Sequence, residues 1–132
     1  MIAVKKFVTI KNQLKAQNGA FSFFGLFLRE DALDKWDVIV AAPWAEADKQ
    51  AALETISAAT TSALAPSELL LLSRVVILEH DKPMLQAIWA AFQSKDRVAQ
   101  FVNATVSGLL ARRAYILESQ PTAAEAAGAG AR

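Results

Sequence analysis

The chain has 132 residues, no cysteine, 54% hydrophobic and 20% charged residues, and 14 Lys and Arg against 13 Asp and Glu, a formal charge of +1. This describes one domain able to bury about two-thirds of its unfolded surface, and it excludes disorder across the body of the chain. Disulfides, thiol catalysis and Cys-ligated zinc are excluded as well, a reducing cytoplasm suits the composition, the basic excess of a nucleic-acid binder is missing, and no apolar run approaches the roughly 20 residues of a membrane span.

Ala3, Phe7, Ile10 and Leu14 recur at helical spacing and predict a helix over residues 2–17 with its lysines off that stripe. The β-branched Val4, Val8, Thr9 and Ile10 favour a strand instead. Asn18-Gly19 is a stop signal. Residues 20–29 read as a strand that is apolar on both alternating sets, Phe21, Phe23 and Phe27 on one and Phe24, Leu26 and Leu28 on the other, so both of its faces must be covered. The polar link Glu30–Lys35 is short enough for an antiparallel hairpin to a second strand, Trp36–Ala42, which Pro43 ends.

Glu46–Leu64 reads as a helix with Leu53, Ile56, Thr60 and Leu64 on its stripe, broken at Ala65-Pro66 and followed by a helical turn over Ser67–Leu72. Arg74–His80 is a third, continuously apolar strand. Asp81 then caps a helix over Lys82–Gln93, with Leu85, Ile88, Trp89 and Phe92 as its stripe. Residues 98–110 carry both patterns. Val98, Phe101, Val102, Val106, Leu109 and Leu110 suit a helix, whereas Gly108 and the β-branched Val102, Thr105 and Val106 suit strands. The expectation is a helical end near residue 101, then a strand within Ala104–Glu118 bent at Ser107-Gly108. The Ala/Gly-rich residues 120–132 offer no core anchor and read as a flexible tail on a single domain of residues 1–119.

The resulting class is α/β (mixed α+β), with an approximately four-stranded mixed sheet in the order α-β-β-α-(α)-β-α-β. The second and third strands, and the third and fourth, are expected to be joined by right-handed parallel crossovers. With strands apolar on both faces, the sheet needs helices on each side or a second subunit, which makes a homodimer the expected assembly.

Ligands in such sheets bind beyond the carboxyl ends of parallel strands. Here those ends gather Trp44, Glu46 and Asp48 with Glu79, His80 and Asp81, and the candidate ligand-binding residues are Trp44, Glu79, His80 and Asp81. His80 is the one side chain that titrates near neutrality unperturbed. Adjacent strand residues point to opposite faces, however, and Asp81 has a structural use as a cap. At the other end, Arg29, Glu30, Asp31, Asp34, Lys35, Trp36 and Asp37 form a mixed-charge cluster, but no Glu-x-Lys follows on the next strand to complete a nuclease-type set. Arg112-Arg113, with Lys95 and Arg97, are read as surface charges or salt-bridge partners. There is no phosphate loop, nucleophile elbow or paired metal-ligand spacing, so no cofactor or metal is implied. The pattern points to a non-catalytic binding or assembly module that self-associates. The alternative is a small enzyme or ligand-binding protein using the carboxyl ends of strands 36–42 and 74–80.

Overall fold

The computed structural model describes residues 2–29, 35–95, 97–106 and 109–121. The stripe at the amino terminus closes into α1 (Val4–Asn18), which buries Phe7, Ile10 and Leu14. Lys11 is buried beside them, against the expectation that the lysines stay off the stripe. It lies a turn from both Phe7 and Leu14, and its ammonium finds Glu118 at 3.2 Å, which makes its burial tolerable.

Strand β1 (Phe23–Arg29) pairs antiparallel with β2 (Trp36–Ala41), in a register that sets Phe24 opposite Val40 and Leu26 opposite Val38. Pro43 does more than end β2. It opens α2 (Pro43–Ala47) at the first helical position, where no amide is needed. The expected continuous helix from Glu46 is interrupted at Asp48, whose Oδ1 accepts the Ala51 amide at 3.1 Å and caps a new helix, α3 (Lys49–Ala63). A single turn, α4 (Pro66–Leu69), leads to β3 (Leu72–Ile77), which runs parallel to β2. Helix α5 (Pro83–Ala91) buries Leu85, Ile88 and Trp89. Its cap is Lys82 rather than Asp81, because Pro83 takes the first helical position and fixes the cap one residue earlier.

Within 98–110, residues 99–106 and 109–110 are strand, and the expected bend at Ser107-Gly108 lies outside the described residues. The expected helical end near residue 101 is instead part of β4 (Ala99–Val106), paired antiparallel with β5 (Leu109–Ser119). The sheet therefore has five strands, in the order β3-β2-β1-β5-β4. The connection through α5 is not a crossover to a neighbouring parallel strand, since it carries the chain to the opposite edge. A hairpin partner two residues away closes at far less entropic cost than a distant one, and β4 takes β5 in preference to β3.

Helices lie on both sides of this mixed sheet. Phe7, Ile10, Leu14, Ala52 and Ile56 pack with Phe24, Leu26, Val38, Val40 and Leu117 on one face. Leu85, Ile88 and Trp89 pack with Phe23, Phe27, Ile39 and Ile116 on the other. The double covering required by the apolar β1 and β2 is thus supplied within the chain. Strand β3 departs from that expectation: it is an edge strand, with Ser73 and Arg74 exposed and Val75, Val76 and Ile77 half-buried. No helix among the described residues is long and apolar enough to cross a membrane. Gln120 is still anchored, its amide donating to Ser22 O at 2.9 Å. The rest of the expected tail, from residue 122 onward, lies outside the described residues.

Candidate functional site

Two places stand out, one at the carboxyl ends of the parallel pair β2 and β3 and one along the free side of β3. At the carboxyl ends, α2 carries Trp44 and Glu46. Trp44 is half-buried, its Nε1 donates to Gly19 O at 3.1 Å, and its ring stands edge-on to Phe21 at 5.5 Å, so its polar handle is spent within the fold. Glu46 reaches across to residue 80. Its Oε1 accepts the His80 backbone amide at 2.7 Å, and the imidazole Nδ1 lies 3.0 Å and 2.9 Å from its two oxygens.

Burial pushes the Glu46 carboxyl up, but the bonds from the His80 amide and ring and the charge of Lys49 outweigh it and hold it below its ordinary value. Glu79 points elsewhere, to Lys49 at 3.1 Å and Lys82 at 3.8 Å, and the Lys49 bond holds it low as well. Asp81 is exposed. The expected cluster therefore contains one close pair, His80 with Glu46, and Glu79 is turned into a separate ion pair. A carboxylate on Nδ1 orients an imidazole. No group of three His, Asp or Glu placed to hold a metal exists among the described residues.

In the cluster near residues 29–37, Glu30, Asp31 and Asp34 lie outside the described residues. Asp37 is fully buried between Arg29 Nε at 2.7 Å and Arg74 Nε at 3.2 Å, a structural ion cluster closed to substrate. Lys35 Nζ donates to Leu70 O at 2.8 Å and ties the start of β2 to the end of α4. Of the two arginines in β5, Arg113 is exposed opposite Val102, while Arg112 is half-buried.

The side of β3 was not singled out by any motif. Leu78 N–H donates to Val40 O at 2.8 Å. Alternation then turns the backbone groups of Arg74 and Val76 toward β2 and those of Val75 and Ile77 away from the sheet, the register shift between Leu72 and Arg74 ending this pattern at its lower end. Among the described residues, no backbone bond outside the ladder takes up these two. Beside this edge runs an open groove of about 420 Å³ between α3 and β3, lined by Leu53, Ser57, Thr61, Leu69, Leu72 and Val75. Leu70, at 69% exposure, stands next to it in the chain. From Thr55 to Ala63, α3 carries no charged side chain, an uncommon surface for an exposed helix.

On the opposite edge, Asn103 of β4 adopts a φ of 52°, and the ladder skips it between Val102↔Arg113 and Ala104↔Ala111 without a change of register. A separate apolar cavity of about 100 Å³ sits between α5 and the β4–β5 hairpin, walled by Phe27, Ile88, Phe92, Phe101, Ala114 and Ile116. With no polar side chain in its lining, it has nothing to hold a water molecule. Comparison of the chain with protein-family models, with curated proteins and with solved structures finds no match.

Proposed function

We propose that this protein is a non-catalytic interaction module that takes up an extended strand of polypeptide along the free side of β3. The observation that carries this reading is the coincidence of an open edge with a groove. Val75 and Ile77 each offer a backbone donor and acceptor. The wall of α3 next to them supplies apolar side-chain contacts. Strand addition uses both features, main-chain bonds for affinity and alternate side-chain pockets for specificity. An open edge is otherwise an aggregation liability that folds normally cover, charge or twist away. From Arg74 to Ile77 this edge keeps a regular register with β2, its one shift lying between Leu72 and Arg74.

The test is selection of extended peptides from a random display library on the full chain, followed by amide exchange of the complex. Bound peptide should slow exchange at Val75 and Ile77. The variants Val75→Pro and Ile77→Pro remove outward amides that the internal ladder does not use, so each should keep the fold and lose the peptide. Selected peptides that protect other amides, or that bind both proline variants unchanged, would sink the reading. Self-association through the same strand is the homodimeric form of it, and would appear in sedimentation as a dimer that both proline variants abolish.

The Glu46–His80 pair favours a second reading, a small-ligand site at the carboxyl ends of β2 and β3 involving Trp44, Glu79, His80 and Asp81. Titration with divalent metals and small carboxylic acids, followed by the His80 ring resonances, checks it. A His80 spectrum that no addition perturbs removes it.

A further inference from the structure

Resting on the strand-addition reading, we infer that the strand received by β3 belongs to a different polypeptide and presents a carboxylate side chain opposite Arg74. The two faces of β3 make different demands. Val75 and Ile77 pack on the side of α1 and α3, and Val76 and Leu78 on the side of α5. Arg74 shares the second side, where it meets Asp37 across the ladder. Its side chain remains 54% exposed, and the residue contributes to the rim of the edge groove. Asp37 is fully buried and already shared with Arg29, so an added strand reaches the arginine and not its internal partner.

Residues directly opposite one another on neighbouring strands share a face, and opposite charges there attract. An acidic side chain across from Arg74 is therefore favoured. On the other side the groove offers Leu53, Leu72 and Val75, and α3 has no charge between Thr55 and Ala63 to receive an acid. The fitting segment thus alternates, with apolar side chains toward α3 and an Asp or Glu toward the α5 side.

A second copy of the chain does not meet this demand. Antiparallel pairing of β3 with its own copy about a two-fold axis keeps each face with its like. The residue opposite Arg74 is then Arg74, Val76 or Leu78 of the copy, none of them a carboxylate. Among the described residues the other edge of the sheet, β4, reads AQFVNATV and contains no acid either. Charge complementarity accordingly selects a foreign strand over a self-pair.

The experiment uses the full chain and acetylated ten-residue peptides in which Val alternates with Thr, one Thr position at a time being replaced by Glu, Gln or Lys. In one register the Glu peptide should bind two- to fivefold more tightly than its Gln counterpart and more tightly still than the Lys peptide, the range of a single cross-strand charge pair. Arg74→Gln should erase the preference, and Arg74→Glu should invert it toward Lys. Circular dichroism confirms that both variants are folded. Peptides that protect the Val75 and Ile77 amides without any Glu preference overturn the inference and leave strand addition standing. Protection of those amides in the free chain at high concentration also overturns it, by making a second copy the occupant. Failure of every peptide to bind overturns both readings.

Discussion

Gly25 sits in the middle of β1 between Phe23 and Phe27, which share its face, with their ring centres 6.1 Å apart. A β-carbon there would lie 2.7 Å from Phe27 Cε1 and 2.8 Å from Phe23 Cζ, closer than carbon atoms approach. Both rings are fully buried, so neither can swing out to make room. Gly25→Ala is expected to destabilise the fold by about 1–3 kcal/mol, the range for overpacking a filled core. Urea unfolding measures it, and an unchanged midpoint would show that the rings can yield. The same scale explains why the Phe-rich stretch tolerates so many large side chains: the residue between the two rings has none.

At the scale of elements, α1 is fastened to β5 by a charge pair inside the core. Lys11 Nζ lies 3.2 Å from Glu118 Oε1 and 3.4 Å from Leu117 O, with both side chains almost wholly buried, and Lys15 approaches the same carboxylate at 3.9 Å. Removing one member strands a buried charge, so Lys11→Met is expected to cost about 3–5 kcal/mol, whereas Lys11→Met with Glu118→Leu should recover most of that loss. A double-mutant cycle in denaturant checks the coupling, and additive losses would show that the pair acts as two independent sites. Helix α5 is held differently, through Trp89 Nε1 donating to Ser22 O at 3.0 Å and Ser119 Oγ donating to Phe92 O at 2.8 Å. One face is therefore bound to the sheet by an ion pair and the other by neutral hydrogen bonds.

For the molecule as a whole, three carboxylates tie distant parts of the chain together, and all titrate below their ordinary value. Glu46 joins α2 to residue 80, Glu79 joins the end of β3 to Lys49 at the start of α3, and Glu68 joins α4 to Lys6 of α1. Burial raises Glu46 but the His80 bonds prevail, Glu79 is lowered by its Lys49 bond, and Glu68 by its Lys6 bond. A carboxyl whose folded value is depressed contributes stability above its unfolded value, here 4.5, and loses it as pH falls through the folded value. The contribution of these three carboxyls should therefore be level from neutrality down to about pH 5 and fall below it. Denaturant midpoints between pH 3 and 6 should show a shallower fall in Glu46→Gln than in the parent chain. Equal slopes would mean that the Glu46–His80 contact adds nothing to the fold.

The Phe-rich β1 and the apolar β2 could be read as buried on both faces because each alternating set of their side chains is apolar, and that property is local. The hairpin between them, the helix-bearing link from β2 to a parallel β3, and the stripes of α1, α3 and α5 follow from spacing and connection length in the same way. The sequence left residues 98–110 between helix and strand, since they carry both patterns, and it could not place the strand expected within Ala104–Glu118, because strand order is settled by long-range pairing. For the same reason β3, as continuously apolar as β2, reads as a covered strand and becomes an open edge only once β4 has joined β5 on the far side. The partnership of Glu46 with His80 and the burial of Lys11 against Glu118 join residues 34 and 107 positions apart. The tertiary structure alone decided those meetings, because they depend on which elements share a face of the sheet and not on the pattern within any one of them.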